Sequence, residues 1–363
     1  MWESGNFMDK AKLRTILISS DTTLKESMQK LNDTAEQILF VIDKDDNLLG
    51  TVTDGDIRRG LINGFKFSDK VEEVMFKQFI SFFYDEPGKK EKAQKIMIKE
   101  KIEQIPILDK NKKIMDVILW TDIFGEKESV KQKQFLTNNV VIMAGGKGTR
   151  LDPFTKILPK PLIPIGDKPI IEIIMDKFYK QGFQNFIFTL NYKKEYIKMF
   201  LRENSFPYKI DWVEEDDFMG TAGSLSLLKG KINEPFFVLN CDIILNADYT
   251  DIIKWHKENN NLVTLIGCHK EVKVPYGILE LDNGILKSFI EKPNYDVIIN
   301  TGVYILEPEI ISMIPDNKST NMNTLIEDVS KKGKVSVYPI HDGWMDIGQW
   351  EEYRNSLREM GGV

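Results

Sequence analysis

Cysteine and histidine are scarce in this chain of 363 residues: there are two cysteines, Cys241 and Cys268, and three histidines. Two thiols cannot build a disulfide framework. No Cys-x-x-Cys pair is present for zinc, and three histidines leave little room for a multi-histidine metal centre. Long apolar runs are also missing. The longest are a handful of residues, against the ~20 needed to cross a bilayer. The opening stretch from Met1 to Thr15 has no apolar segment of the signal-peptide kind. These absences predict a cytoplasmic protein with no membrane partner. An excess of basic charge is lacking too, since 49 Lys and Arg against 55 Asp and Glu give a net charge of −6. That argues against nucleic acid as a partner and leaves space for a small basic pocket. What is present is ordinary: 42% hydrophobic and 29% charged residues exclude global disorder, and the length suits two or three domains.

The sequence changes character near residue 130. Residues 126–133 (EKESVKQK) are charged and free of large aromatics. They suggest a linker over 129–137, between a region 1–128 and a region 138–363. The first region holds a weak duplication, with copies over about 10–65 and 70–125. In each, two short β-branched strands flank a polar turn. The pairs are Ile38 to Ile42 with Leu48 to Thr53, and Ile105 to Leu108 with Ile114 to Leu119. Asp56 opens one closing helix and Asp122 the other, where a side-chain oxygen caps free N–H groups.

From Val140 the pattern is different. Val140 to Ala144, Phe186 to Leu190, Phe236 to Leu239 and Leu262 to Ile266 read as fully buried strands. Helices are expected from Ile170 to Gly182 and from Lys194 to Asn204. This is the signature of an α/β domain with a doubly wound, mostly parallel, Rossmann-like sheet. Such sheets bind ligands at the carboxyl ends of their strands.

Two motifs fall in such places. Ala144-Gly145-Gly146-Lys147-Gly148-Thr149-Arg150-Leu151 directly follows the first strand. Its glycines let backbone N–H groups approach a phosphate, and Arg150 adds a planar charged fork. The spacing is not that of a P-loop. Next, Pro159 and Pro161 flank Lys160; they stiffen the chain and hold the lysine in an extended segment, as a phosphate clamp needs.

GGKGTRL followed by PKPLIPIGDKPI resembles the signature of the sugar-1-phosphate nucleotidyltransferases, over Val140 to about Arg354. The resemblance implies a GT-A-like fold and a reaction of a nucleoside triphosphate with a sugar 1-phosphate. It implies Mg²⁺ bound by Asp242 (in Leu239-Asn240-Cys241-Asp242) and Asp346 (in Trp344-Met345-Asp346-Ile347-Gly348). Arg150 and Lys160 join these two as catalytic residues. The nucleotide falls to Ala144, Gly145, Gly146, Gly148 and Thr149, and to a base-side loop containing Gly220, Thr221 and Gly223. Gly277, Glu291, Lys292, Asn300 and Thr301 match the family's sugar-side positions. Cys241 stands where members often have glycine, and is read as an incidental thiol.

The first region, through Gly50 to Arg59 (GTVTDGDIRR), resembles a tandem pair of CBS domains. That implies AMP, ADP or ATP at Thr53 and Asp56. The second copy keeps Asp122 but has Leu119 where the first has Thr53; the alternative is a structural module with no ligand. Both regions resemble self-associating families, which implies a homo-oligomer. A CBS pair ahead of such a transferase is similar to the guanylyltransferases of legionaminic acid-type pathways. This similarity favours GTP and glucosamine 1-phosphate, with mannose 1-phosphate as the alternative sugar and uridylyl or thymidylyl transfer open. No hexapeptide-repeat tail is present, so no second acyltransferase activity is expected. A reading of another class is an adenine-nucleotide sensor with an inactive transferase half; Arg150, Lys160, Asp242 and Asp346 together argue against it.

Overall fold

The computed structural model describes residues 9–34, 37–100, 102–124, 135–316 and 318–360. The chain divides into two compact units, Met1–Lys131 and Gln132–Val363. Most of the linker expected over 129–137 lies outside the described residues. Its last three positions do not, and two of them are already strand: the first strand of the second unit starts at Leu136 rather than Val140.

In the first unit the duplication is structural. Leu17–Ser19 pairs parallel with Ile38–Ile42, which pairs antiparallel with Leu48–Thr53. Phe82–Phe83, Gln104–Leu108 and Ile114–Leu119 repeat that order and those directions. The two turns are built alike. Asp43 Oδ1 accepts the N–H groups of Asp45 and Asn47 at 2.8 and 2.9 Å, and Asp109 Oδ1 those of Asn111 and Lys113 at 2.8 and 2.9 Å. One aspartate thus closes each turn through its own side chain. The two copies share a core, since Leu108, Ile114 and Val117 of the second pack with Leu39, Phe40 and Val52 of the first.

The second unit is built on a seven-stranded sheet, numbered here in chain order: β1 (Leu136–Ala144), β2 (Phe183–Leu190), β3 (Lys209–Glu214), β4 (Phe236–Asn240), β5 (Val263–Lys273), β6 (Asn294–Leu306) and β7 (Val335–Ile340). The spatial order is β3-β2-β1-β4-β6-β5-β7. All neighbours are parallel except that β6 runs antiparallel to both β4 and β5. The central strand alternates between two cores. Val140, Ile142 and Ala144 join one that includes Phe178, Phe183, Phe237 and Tyr249; Val141 joins the other, with Ile187, Phe236 and Val238. In the first, Phe178 stacks on Tyr249 with centroids 3.8 Å apart. Helices on both faces are why the strands read as continuous apolar runs. A hairpin, Ile278–Asp282 with Ile285–Ile290, stands between β5 and β6 in the chain and forms its own two-stranded sheet. Its turn is Asn283-Gly284, both at positive φ (48° and 86°), as a two-residue hairpin of type I′ requires.

One buried polar network lies near the start of β5. His256 Nδ1 is 2.8 Å from Thr264 Oγ1 and Nε2 is 3.3 Å from Glu307; Asn261 bridges Thr264 and Ser336 at 3.1 and 2.9 Å. Burial lowers the His256 pKa from 6.5 to about 4. The folded protein therefore favours neutral imidazole, while the unfolded chain takes up a proton at higher pH. Stability is complete above about pH 6.5 and is lost as pH falls towards about 4. Thermal unfolding measured across that window should show the loss in the wild type and a shallower one in His256→Asn.

Candidate active site

The carboxyl ends of β1, β2, β3 and β4 meet at one edge of the sheet, around a cleft of about 270 Å³. The loop after β1 forms its floor. Two of its glycines are required by close approach. A Cβ on Gly145 would lie 2.8 Å from Glu215 Oε1; one on Gly148, whose φ is +66°, would lie 3.0 Å from Lys160 Cβ and from Thr155 Cγ2. Gly146 faces open space, Thr149 and Arg150 belong to a short 3₁₀ turn, Thr149–Leu151, and Ala144 is buried at the end of β1.

Lys160 does not lie in an extended segment. Pro159 is extended, but Lys160 opens a 3₁₀ turn, Lys160–Leu162. The turn directs the lysine inward, where it is 7% exposed and ion-paired with Asp242. The preceding loop is braced by Lys193, whose ammonium donates to the carbonyls of Thr155, Lys156 and Ile157 at 3.2, 2.6 and 3.0 Å.

Asp242 follows β4, and Asp346 ends a short strand, Trp344–Asp346, antiparallel to Ile243–Leu245 with Asp346 opposite Ile243. The Ile347 N–H donates to the Asp242 carbonyl at 2.9 Å. Two acids far apart in the chain are thereby fixed side by side. Burial first, and the Asp242 charge second, raise the Asp346 pKa. Asp346 Oδ1 is buried and has no hydrogen-bond partner. A Cβ on Gly348 would lie 2.6 Å from that oxygen and 3.2 Å from Arg150 Nη2, so the guanidinium shares this corner. Two carboxylates held together against their repulsion, one with a spare buried oxygen, fit a hard divalent cation such as Mg²⁺. Such an ion completes its shell with phosphate oxygens and water.

The far wall carries a group that the sequence reading missed. Glu215, the residue after β3, is 3% exposed and lines the cleft. Its Oε2 accepts the Met219 N–H at 2.9 Å, and burial raises its pKa. Phe218, 58% exposed, stands at the rim. The only available signal was position, an acid just beyond a strand end. Gly220–Gly223, expected as a loop, is a short helix. Gly220 and Thr221 line the cleft. Thr221 Oγ1 also accepts the Met322 N–H at 2.8 Å. Gly223 instead packs against the chain at Lys318, whose carbonyl is 2.8 Å from its would-be Cβ.

The sugar-side set is not assembled at the cleft. Gly277, Glu291 and Lys292 flank the exposed hairpin, with Glu291 and Lys292 3.9 Å apart and both more than half exposed. Asn300 and Thr301 lie within β6 and are engaged structurally: Asn300 Nδ2 donates to Tyr304 Oη at 2.9 Å, and Thr301 Oγ1 to the Ile266 carbonyl at 2.7 Å. Trp344, given no role from sequence, donates its indole N–H to the Thr301 carbonyl at 3.0 Å. Cys241 is buried, which pushes its thiol up to about 12 and rules it out as a nucleophile.

Comparison with known proteins places this arrangement. The profile described as Nucleotidyl transferase matches residues 139–360, which carry every residue of the cleft. The chain belongs to the nucleotidyl transferase family. The CBS domain profile matches residues 7–63. A probable mannose-1-phosphate guanylyltransferase 3 of Oryza sativa subsp. japonica is 31% identical over 228 residues, covering 60% of this chain and 63% of that protein. The mannose-1-phosphate guanylyltransferase catalytic subunit beta of Danio rerio is 32% identical over 226 residues, with the same coverage. The chain thus spans 63% of the length of these relatives. The crystal structure of HddC from Yersinia pseudotuberculosis matches with a TM-score of 0.50 and 30% identity, over 61% of this chain and 99% of that one. A putative glucose-1-phosphate thymidylyltransferase from Bacillus anthracis matches with a TM-score of 0.50 at 19% identity, covering 62% and 96%, and shares the fold.

In the CBS region the side chains expected at a nucleotide bind each other. Thr53, not Asp56, caps the closing helix Asp54–Ile62, and Asp56 is its third residue. Asp56 Oδ2 accepts from the Thr53 hydroxyl and N–H at 2.6 and 2.8 Å, a capping box. In the second copy Asp122 likewise accepts the Leu119 N–H at 2.7 Å. No helix among the described residues is long and apolar enough to cross a membrane.

Proposed function

We propose that the protein transfers a guanylyl group from GTP to a sugar 1-phosphate, with release of pyrophosphate. Glucosamine 1-phosphate is the favoured acceptor and mannose 1-phosphate the alternative; the names of the rice and zebrafish relatives support guanylyl transfer and, of the two sugars, name only mannose 1-phosphate. The observation that carries the reading is the pairing of Glu215 at one wall of the cleft with Lys160, Asp242 and Arg150 across it. Guanine presents two adjacent donors, N1–H and the N2 amine, to a group that only accepts. Phe218 supplies a face for the base to stack on, an interaction worth about 1–3 kcal/mol.

In this reading a phosphate oxygen of the sugar attacks the α-phosphorus in line and pyrophosphate leaves. The attacking oxygen is already anionic, so no general base is needed. The barrier is chiefly that of bringing two polyanions together and stabilising the charge that develops. Arg150 and the loop amides hold the β- and γ-phosphates, and Lys160 lies at the α-phosphate. Asp242 and Asp346 are the carboxylates for Mg²⁺, which when bound neutralises charge at the α-phosphate. Glu291 accepts from sugar hydroxyls and Lys292 neutralises the sugar phosphate. An adenine nucleotide at Thr53 and Asp56 regulates the reaction.

The test is pyrophosphate release with Mg²⁺, crossing GTP, UTP, dTTP, CTP and ATP against the 1-phosphates of glucosamine, mannose, glucose and N-acetylglucosamine. Turnover with GTP and glucosamine 1-phosphate is expected. Turnover confined to a pyrimidine nucleotide would overturn the guanylyl assignment, and silence with every combination would overturn the enzyme reading. Millimolar AMP, ADP and ATP should change the rate; neither an effect nor detectable binding would end the regulatory part.

A further inference from the structure

The turn between β2 and the helix Lys194–Glu203 touches three parts of the site without lining the cleft itself. The Tyr192 N–H donates to the Gly145 carbonyl at 3.4 Å. Asn191 Nδ2 donates to the Glu215 carbonyl at 3.3 Å, and Asn191 Cβ is 3.3 Å from a Cβ built on Gly145. Lys193 reaches the third part, the segment that leads into Lys160. Its ammonium donates to the carbonyls of Thr155, Lys156 and Ile157 at 3.2, 2.6 and 3.0 Å. It also sits 5.5 and 5.9 Å from the ring centroids of Tyr192 and Tyr196. An ammonium has three donors, and here they meet three converging carbonyls between two aromatic faces. These are the surroundings of a bound monovalent cation. The carbonyls belong to the end of a one-turn helix, Phe154–Ile157, where no later turn supplies N–H donors. The backbone marks the same residue. Lys193 has φ 50° and ψ 34°, in the left-handed region that disfavours any residue with a Cβ. Glycine would adopt it freely. The contacts of the ammonium offset that cost.

We propose that Lys193 is a positioning residue for the transfer. Its ammonium acts as a tethered cation that holds the Thr155–Ile157 segment to the β2 turn, and so sets where Lys160 and the glycine loop stand. The path is short. Ile157 is separated from Lys160 only by Leu158 and Pro159. Thr155 is buried, and its Cγ2 and Lys160 Cβ each lie 3.0 Å from a Cβ built on Gly148. Release of the segment therefore loosens the lysine and the loop together. A misplacement of about 1 Å at a group that meets the reacting phosphate costs about 10²-fold in rate. The effect on turnover rests on the role proposed above for Lys160; the placement of the segment by the ammonium does not.

Lys193→Gly removes the ammonium and relaxes the backbone, so a loss in this variant comes from the missing cation. With the nucleotide and sugar phosphate that the wild type uses, kcat should fall at least about tenfold while the KM for the sugar phosphate stays unchanged. Butylammonium, the excised part of the side chain, should restore most of the lost rate. Tetramethylammonium at equal ionic strength has no N–H to donate and should restore none. Amide hydrogen exchange over residues 154–162 of the nucleotide-free protein reads the placement without turnover. It should be faster in the variant and slow again with butylammonium. An unchanged kcat, or a lost rate that both cations or neither restore, would overturn the positioning role. Unchanged exchange would overturn the placement itself. A wild type that turns over no substrate would end the transferase reading, and exchange then decides the placement alone. If Lys193→Gly fails to fold, Lys193→Asn, which also tolerates the left-handed region, replaces it with the same fall in kcat and the same rise in exchange expected.

Discussion

Asp346→Asn is expected to cut kcat by roughly 10²–10³ and at the same time raise the melting temperature of the metal-free protein. The two effects have one cause. Asp346 is half-buried, it faces the Asp242 charge, and its Oδ1 has no hydrogen-bond partner. Its carboxylate therefore costs stability in the absence of a cation. The amide removes the repulsion with little change of shape. Charge stabilisation at the reacting phosphate goes with it, and such groups contribute roughly 10²–10³ in kcat when a single one is removed. Asp242→Asn should inactivate equally but with the opposite effect on stability. It leaves Lys160 buried without its partner, and breaking a buried pair costs about 3–5 kcal/mol. Melting curves with and without Mg²⁺ separate the cases. The wild type should gain stability from Mg²⁺ and both variants should gain little. If Asp346→Asn lowers the melting temperature, the acid is a structural partner and the metal assignment fails.

Much of this site was legible from sequence because its parts sit at strand ends, and the strands β1, β2 and β4 are apolar on both faces. Periodicity finds such strands, and the glycine loop and Asp242 follow from where they stop. Other parts were hidden for physical reasons. β3 (KIDWVE) is an edge strand with mixed burial, so it lacks an apolar run. β6 contains Asn300-Thr301-Gly302, a polar, glycine-bearing stretch for which the sequence analysis proposed no strand. It is in fact an antiparallel strand with Gly302 at φ +78°, where a Cβ would lie 2.9 Å from Asn240 Nδ2. The hairpin carried the strongest local signal available, Asn283-Gly284 between apolar stretches, and the sequence reading passed over it. The proximity of Asp346 to Asp242 depends on the two-stranded pairing of Trp344–Asp346 with Ile243–Leu245, which no local pattern encodes. Likewise the close approach of the chain at Lys318 to Gly223, 2.8 Å from a would-be Cβ, is a contact that no local pattern encodes.

Glu215→Gln should change which base the enzyme accepts. The carboxylate can only accept, so it suits an edge with two adjacent donors. Guanine alone among the five bases offers that: uracil and thymine present one N–H between carbonyls, and adenine and cytosine set an amine beside a ring nitrogen that accepts. Glutamine keeps the size and one acceptor but turns the other position into a donor, which opposes the guanine edge and suits a carbonyl. A site built for a hydrogen bond discriminates strongly because the unmatched buried group is left unpaired. The expected result is a fall of about 10²–10³ in kcat/KM for GTP and a smaller fall, or a gain, for UTP and dTTP. The Met219 N–H stays satisfied, since the amide oxygen can replace Oε2 at 2.9 Å, so the fold is retained. A pH profile supplies an independent check. Burial raises the Glu215 pKa above its ordinary 4.5, and protonation removes the acceptor. GTP affinity in the wild type should therefore weaken on acidification at a pH above the usual carboxylate range, and the glutamine variant should lack that step. If GTP and UTP lose the same factor in Glu215→Gln, the residue supports the cleft without reading the base. The guanine assignment then rests on the names of the relatives alone.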